Sequence, residues 1–106
     1  MDVQNKQAAL CGYLRKYHTG GEKAVPSHRL EAVFSMKGSE IRRYVNLLRC
    51  EGVPICSGES GYYYASTYEE LEATVRQLNS RIEKIAMARN GIIAGGGWAI
   101  GGASDI

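Results

Sequence analysis

The sequence predicts a mainly α-helical protein that carries one small β-hairpin and continues into a long C-terminal helix. Two observations predict this fold class. Apolar residues recur every three or four positions in four segments, as they do on the buried face of a helix. Two short runs of aromatic and β-branched residues flank the glycine-containing stretch 58–61, as in a hairpin. With 106 residues, 44% of them hydrophobic, the chain can form one compact domain and one additional helix.

The N-terminal domain is predicted over residues 1–66 and begins with a helix over Val3–Tyr17. Apolar residues at helical spacing give this segment one apolar face. Two glycines, at positions 20 and 21, permit backbone turns that a helix cannot make, so the helix is expected to end before them. The stretch 20–26 is therefore predicted to be a loop.

A pair of shorter helices is expected next. Ser27 is predicted to cap the second helix with its hydroxyl, and a tight turn at 35–38 follows. The buried stripe of the second helix is predicted to comprise Leu30, Val33 and Phe34. The third helix is predicted over residues 39–51, with Ser39 as its N-cap and Gly52 as a left-handed stop.

Two strands are predicted at 53–57 and 62–66, joined by the glycine-flanked loop. Pro54 has no backbone N–H to donate, which predicts that the first strand lies at the edge of the sheet. Alternation along the tyrosine run 62–64 predicts that Tyr63 faces one side and its neighbours the other, with one side packed in the core. Stacking of these rings on single-stranded bases is the alternative.

A long fourth helix is predicted over residues 67–90. Thr67 and Glu70 match a capping box, in which each side chain binds the other residue's backbone N–H. Apolar residues spaced by four and three positions form a heptad seam, which consists of Leu71, Val75, Leu78, Ile82 and Ile85. This seam predicts a homodimer, with packing on the protein's own domain as the alternative. The glycine-rich segment 91–106 is predicted to be a flexible tail.

Side chains that could support other chemistry lack the required spacing. The cysteines at 11, 50 and 56 form no CxxC pair and lie among apolar residues, so buried thiols are expected instead of disulfides or zinc ligands. His18 and His28 have no second ligand at metal spacing. We therefore expect no enzyme activity, cofactor or metal, and no small-molecule site is evident. No apolar run could serve as a signal peptide or membrane span, so we expect a cytoplasmic protein.

The third helix carries the residues that indicate a function. Two helices joined by a short turn, with polar residues exposed on the second, form the arrangement by which a helix-turn-helix meets DNA. Arginine pairs with guanine edges and phosphates, asparagine pairs with adenine edges, and residues at the turn contact phosphate. The candidate DNA-binding residues are Lys37, Ser39, Arg42, Arg43, Asn46 and Arg49. A solvated helix face without a ligand is the alternative.

The segment 47–55, Leu-Leu-Arg-Cys-Glu-Gly-Val-Pro-Ile, followed by Gly-Tyr-Tyr-Tyr at 61–64, resembles the winged helix-turn-helix DNA-binding domains typified by the biotin repressor. In that family the recognition helix ends in a Leu-Arg-x-x-Gly turn, and the second strand of the wing begins with Gly-Tyr. The resemblance covers residues 7–66. It implies a winged helix-turn-helix fold and adds Glu40 to the DNA-facing positions. The whole chain is also similar to small phage and prophage helix-turn-helix proteins, which continue into a further helix.

The sequence thus predicts a dimeric bacterial or phage transcription regulator that binds a specific sequence of double-stranded DNA. Residues 1–66 contain nine Lys or Arg against six Asp or Glu, whereas residues 67–106 contain four against five. The basic excess therefore lies in the domain with the candidate DNA-binding helix. The alternative is a protein-interaction module with the same fold, such as a phage replication or assembly accessory protein. The low net charge of +2 and the acidic Glu59 at the hairpin tip favour this alternative.

Overall fold

The computed structural model describes the backbone of residues 3–99 and the side chains of residues 3–96. In chain order the elements are α1 (Val3–Tyr17), α2 (Ser27–Phe34), α3 (Gly38–Cys50), β1 (Ile55–Gly58), β2 (Gly61–Tyr64) and α4 (Tyr68–Ala99). The strands form a two-stranded antiparallel hairpin. The fold class predicted from the sequence, mainly α with a small hairpin and a long C-terminal helix, is confirmed.

The core lies among α1, α2, α3 and the hairpin. Leu10 and Leu14 of α1 are fully buried, as the apolar face of this helix predicted. The buried cluster consists of Leu10, Leu14, Val25, Leu30, Met36, Ile41, Tyr44, Val45, Leu48 and Ile55. In α2 the predicted stripe is only partly correct, because Val33 is exposed while Leu30 is buried and Phe34 packs at the edge of the cluster. Val33 and Phe34 are adjacent and therefore about 100° apart around the helix, so Val33 can point to solvent while Leu30 and Phe34 face the core.

The segment between α1 and α2, predicted as a plain loop, pairs with the hairpin. It contains a short 3-10 turn, Gly21–Lys23. Val25 and Tyr62 exchange two backbone hydrogen bonds. The distance from the Val25 nitrogen to the Tyr62 oxygen is 2.9 Å, and that from the Tyr62 nitrogen to the Val25 oxygen is 2.8 Å. At Gly61 the backbone φ is +119°, and a Cβ there would overlap the Val25 carbonyl group. Glycine is therefore required where the two segments approach each other.

The predicted N-caps of α2 and α3 are wrong. Ser27 is the first residue of α2, and its hydroxyl donates to Glu31 Oε2 at 3.1 Å instead of accepting a backbone N–H. Ser39 lies inside the first turn of α3, which begins at Gly38. Here the carboxylate of Glu40 accepts the backbone N–H of Lys37 at 3.2 Å, so the first turn is capped without the serine. The predicted stop after α3 is confirmed, because Gly52 has a φ of +93°.

The hairpin is tighter than predicted. Gly58 pairs with Gly61, so only two residues form the loop and each strand has four residues. Among the described residues, β1 pairs only with β2, as expected from the proline before it. The tyrosine run behaves as alternation predicted: Tyr63 is buried on one side, and Tyr62 and Tyr64 pack against the core cluster on the other. Both sides of β2 are thus covered.

The α4 helix is longer than predicted. Its capping box is confirmed, because the Glu70 N–H donates to Thr67 Oγ1 and the Thr67 N–H donates to Glu70 Oε1, both at 3.2 Å. The helix continues through Ala99, nine residues past the expected end at Asn90. Each glycine after Asn90 disfavours the helix by about 1 kcal/mol relative to alanine. Extension of a helix that already exists is easier than starting one, because each added residue forms a further backbone hydrogen bond. Residues 100–106 of the predicted tail lie outside the described residues.

The chain divides into two compact units, with the division after Thr74. The first turns of α4 therefore belong to the N-terminal unit. Thr74 is buried there, and its Oγ1 accepts the backbone N–H of Ser57 at 3.3 Å. The second unit begins at Val75 and consists of the remainder of the chain.

Candidate nucleic-acid interface

The α3 helix has one buried and one exposed face. Its buried side chains are Ile41, Tyr44, Val45 and Leu48, and they belong to the core cluster. On the opposite side, residues at helical spacings of three and four stay exposed. We call this surface the α3 outer face; it consists of Ser39, Arg42, Arg43, Asn46 and Cys50. The predicted DNA-reading residues Arg42, Arg43 and Asn46 therefore lie together on one solvent-facing stripe.

The polar groups of the α3 outer face are available to a ligand. Within residues 3–96, no ion pair or side-chain hydrogen bond holds Arg42, Arg43 or Asn46. The guanidinium carbon of Arg43 lies 6.0 Å from the centroid of the Tyr44 ring, which orients the side chain without occupying its N–H donors. Lys37, in the turn before α3, is also exposed.

Glu40 is placed differently from the position that the resemblance implied. It is half-buried, and its Oε1 accepts the Lys37 N–H at 3.2 Å. Its Oε2 lies 3.8 Å from the ammonium group of Lys6 on α1. Glu40 therefore stabilises the start of α3, and its charge is directed toward α1 rather than along the outer face.

Arg49 does not lie on the α3 outer face. Its Nε donates to the carbonyl oxygen of Ile55 at 2.8 Å, and its Nη2 donates to the hydroxyl of Ser57 at 3.1 Å. Both acceptors belong to β1, so the half-buried guanidinium joins the end of α3 to the hairpin. Sequence spacing could not reveal this role, because the acceptors come from a strand that follows the turn at Gly52.

The hairpin tip has no positively charged side chain that could pair with a phosphate group. Glu59 and Ser60 form the loop and are exposed, and neither carries a positive charge. At the other end of β2, the Arg15 guanidinium is 5.9 Å from the centroid of the Tyr64 ring. The exposed positive charges of α3 and the preceding turn are those of Arg42, Arg43 and Lys37.

Glu70 connects the first turn of α4 to the segment before α2. Its Oε2 accepts the backbone N–H of Gly21 at 2.7 Å, and its Oε1 accepts the N–H and the hydroxyl of Ser66, both at 2.8 Å. These hydrogen bonds, that of Gly21 first, lower the pKa of Glu70 to about 2. The capping pattern predicted the contact with Thr67, but it gave no indication of the contact with Gly21.

The cysteine and histidine side chains differ in exposure and in their contacts. Cys56 is buried as predicted and Cys11 is half-buried, but Cys50 is exposed on the α3 outer face and its predicted burial is wrong. His18 Nδ1 lies 2.7 Å from the Lys23 carbonyl oxygen. Among the described residues, no group of His, Cys, Asp or Glu is arranged to hold a metal ion.

No described helix, α4 included, combines the length and the hydropathy that a membrane crossing requires.

Comparison of the chain with protein-family models, with curated proteins and with solved structures gave no significant match. The function must therefore be argued from the residues and their geometry.

Proposed function

We propose that the protein binds a specific sequence of double-stranded DNA, with α3 as the recognition helix of a winged helix-turn-helix domain. The observation that carries this proposal is the α3 outer face, where Arg42, Arg43 and Asn46 are exposed on one stripe, opposite the buried side chains of the same helix. In this proposal the protein acts in the cytoplasm as a bacterial or phage transcription regulator.

The arrangement around α3 favours this function. A turn of three residues separates α2 from α3, and Ser35 in it adopts the left-handed conformation with a φ of +52°. The hairpin follows α3 directly, and Arg49 holds it there. The order of two helices, a tight turn and a hairpin is that of a winged helix-turn-helix, in which the second helix enters the major groove.

The chemistry of the outer face suits base recognition. With 13 residues, α3 is about 20 Å long at a rise of about 1.5 Å per residue, and a helix of this kind fits the major groove. Arg42 and Arg43 supply donors for guanine O6 and N7, and the Asn46 amide can pair with adenine. Lys37 and Ser39, at the start of the helix, are placed to contact phosphate. Glu40 positions the helix, and Arg49 positions the hairpin.

The test begins with selection of bound sequences from a random duplex library. Binding of the selected duplex is then measured by fluorescence anisotropy at several salt concentrations. The double variant Arg42→Ala/Arg43→Ala should weaken binding by about 2–6 kcal/mol if each arginine reads a base, and it should reduce the salt slope.

The matched control is Arg81→Ala/Lys84→Ala, which removes the same charge from exposed positions of α4. It should leave the affinity within about threefold, since non-specific charge loss changes only the long-range attraction. Failure to enrich any duplex at low salt would refute the proposal, and so would equal losses in the two double variants.

We further propose that two copies associate through the heptad seam of α4. Ile82 and Ile85 are 62% and 67% exposed in the single chain, and such a seam in a helix is the surface that a second helix covers in a coiled coil. A dimer would place two α3 helices on two half-sites of the DNA.

Sedimentation equilibrium tests the dimer. Ile82→Ser/Ile85→Ser should convert a dimer to a monomer, whereas Met87→Ser, at a position 72% exposed but off the seam, should not. A wild-type protein that remains monomeric at high concentration would rule out the association.

A protein-interaction module is the second candidate function. It is favoured by the acidic residue at the hairpin tip and by the exposed side chains Ile92 and Ile93 near the end of α4. This candidate predicts that no duplex is selected. It also predicts that truncation after Asn90 abolishes an association that the Arg42→Ala/Arg43→Ala variant retains.

A further inference from the structure

An open cavity of about 380 Å³ lies where α1 meets the end of α3. Its volume falls in the range of small-molecule sites, which is about 300–1,000 Å³. Leu48 and Val53 form an apolar part of the wall, and the half-buried thiol of Cys11 lies beside them. The cavity is separate from the α3 outer face, because Leu48 points into the core side of the helix.

The polar part of the cavity consists of two side-chain amides and one carboxylate, so it carries one negative charge and no positive charge. Gln7 lines it although only 9% of this residue is exposed. The Gln7 amide nitrogen donates to Glu51 Oε1 at 3.1 Å, while the carbonyl oxygen of the same amide accepts no hydrogen bond from another described residue. Gln4 adds a second amide, and none of the lining residues is basic.

The polar groups of the cavity favour a cationic ligand over an anionic one. The remaining oxygen of Glu51 and the free carbonyl oxygen of Gln7 would both accept a hydrogen bond from a cationic donor. A carboxylate or phosphate would instead face the negative charge of Glu51 with no compensating cation among the described lining residues. The apolar wall would cover the remainder of a small organic molecule.

We propose that this cavity binds a small organic amine, with its ammonium group at Gln7 and Glu51 and its apolar body against Leu48 and Val53. The position of the site suggests an effector role, since Glu51 and Val53 flank the stop that leads from α3 into the hairpin. The binding step itself does not depend on DNA recognition, so its failure and the failure of the proposed function are measured separately.

The test uses three probes of similar shape and different charge: 2-phenylethylammonium, 2-phenylethanol and 3-phenylpropanoate. Binding to the wild-type protein is followed by ¹H–¹⁵N correlation spectra. The ammonium probe should bind most tightly and should shift the side-chain amide signal of Gln7 and the backbone signal of Val53. Equal binding of the alcohol or the carboxylate would overturn the charge assignment, and no saturable shift with the ammonium probe would overturn the site.

Two further measurements locate the ligand. Glu51→Gln, an exposed position, should weaken binding of the ammonium probe on the order of tenfold, whereas Glu22→Gln, outside the cavity, should leave it unchanged. In a Cys50→Ser background, the bound ammonium probe should slow alkylation of Cys11 by a maleimide. An unchanged alkylation rate at saturation, or an unchanged affinity in Glu51→Gln, would place the ligand elsewhere and contradict the proposal.

Discussion

Both α3 and the part of α4 after Thr74 present apolar residues on one face, but they differ in what covers that face. In α3 the apolar side chains are buried by contacts with α1, α2 and β1. In residues 75–96 the side chains of Ile82, Ile85 and Ile92 remain exposed. The spacing of apolar residues thus identifies a face, whereas its burial depends on a partner segment. For α3 the chain supplies that partner itself, and for the second part of α4 we propose that another copy does.

The largest expected effect contrasts one isoleucine from each helix. Ile41→Ala removes a fully buried side chain and should lower the free energy of unfolding by about 2–5 kcal/mol. Ile85→Ala should change it by less than about 0.5 kcal/mol at protein concentrations too low for the proposed dimer to form, because this side chain is 67% exposed. Urea denaturation measures both values. Equal losses in dilute solution would contradict the difference in burial between the two helices, and a loss in Ile85→Ala that grows with protein concentration would support the dimer.

A second contrast uses glycines and predicts opposite signs. Gly61→Ala should cost about 1–3 kcal/mol, because the residue has a positive φ and a Cβ would meet the Val25 carbonyl. Gly91→Ala should increase the helicity of α4, since nothing lies within 4 Å of a Cβ there and alanine gains up to about 1 kcal/mol of helix propensity. Thermal unfolding followed by circular dichroism measures both changes.

The hairpin also contains the control for this second experiment. Gly58 has no positive φ and open space around a Cβ, so Gly58→Ala should lose far less stability than Gly61→Ala. Equal losses at these two positions would show that the close approach of Val25 is not the cause.

The carboxylate of Glu70 gives the N-terminal unit a specific acid sensitivity. Its pKa of about 2 lies below the ordinary value of 4.5, so the ionised form stabilises the fold. This contribution is complete above about pH 4.5 and is lost as the pH falls from there through about 2. Glu70→Gln should reduce stability at neutral pH and flatten the acid limb of the stability curve in this window.

Urea midpoints measured between pH 2 and pH 7 test the acid limb, since this interval contains both pKa values. The neighbouring Glu69→Gln is the control, because Glu69 is exposed and should leave the limb as steep as in the wild type. An acid limb that is unchanged in Glu70→Gln would contradict the assignment of this sensitivity to Glu70.

The smallest contrast concerns the starts of the two helices. Thr67→Ala removes the hydroxyl that accepts the Glu70 N–H and should cost about 1 kcal/mol. Ser39→Ala removes a hydroxyl with no capping contact and should cost less than about 0.5 kcal/mol. Chemical denaturation can resolve this difference. A greater loss of stability in Ser39→Ala would indicate that Ser39 caps α3, as sequence spacing predicted.

The sequence predicted elements whose signal is local or periodic. The helical spacing in α1 and the stop at Gly52 were sufficient to locate α1 and the end of α3. The pairing of Val25 with Tyr62 was missed, because a single bridged residue leaves no alternating pattern. The end of α4 was missed because glycine weakens a helix without necessarily ending it, and the outcome depends on the residues around it.

The candidate site shows the same difference between local signals, which the sequence contains, and tertiary contacts, which it does not. Spacing alone was enough to group Arg42, Arg43 and Asn46, since residues three and four apart share a helix face. Arg49 was misplaced because its partners lie on β1, and such a tertiary contact has no local signature. The cavity beside Gln7 was not predicted for a related reason, as its walls come from segments about 40 positions apart, a separation that only the folded chain brings together.

The contacts along β1 protect the hairpin from the pairing with other chains that leads to aggregation. An exposed strand edge is a template for such pairing, and the aromatic run in β2 has high β-propensity. On β2, Val25 already bonds to the edge that β1 leaves free. On β1, the Ile55 carbonyl accepts from Arg49 and the Ser57 N–H donates to Thr74. Two side chains from neighbouring helices thus occupy backbone groups that would otherwise recruit an additional strand.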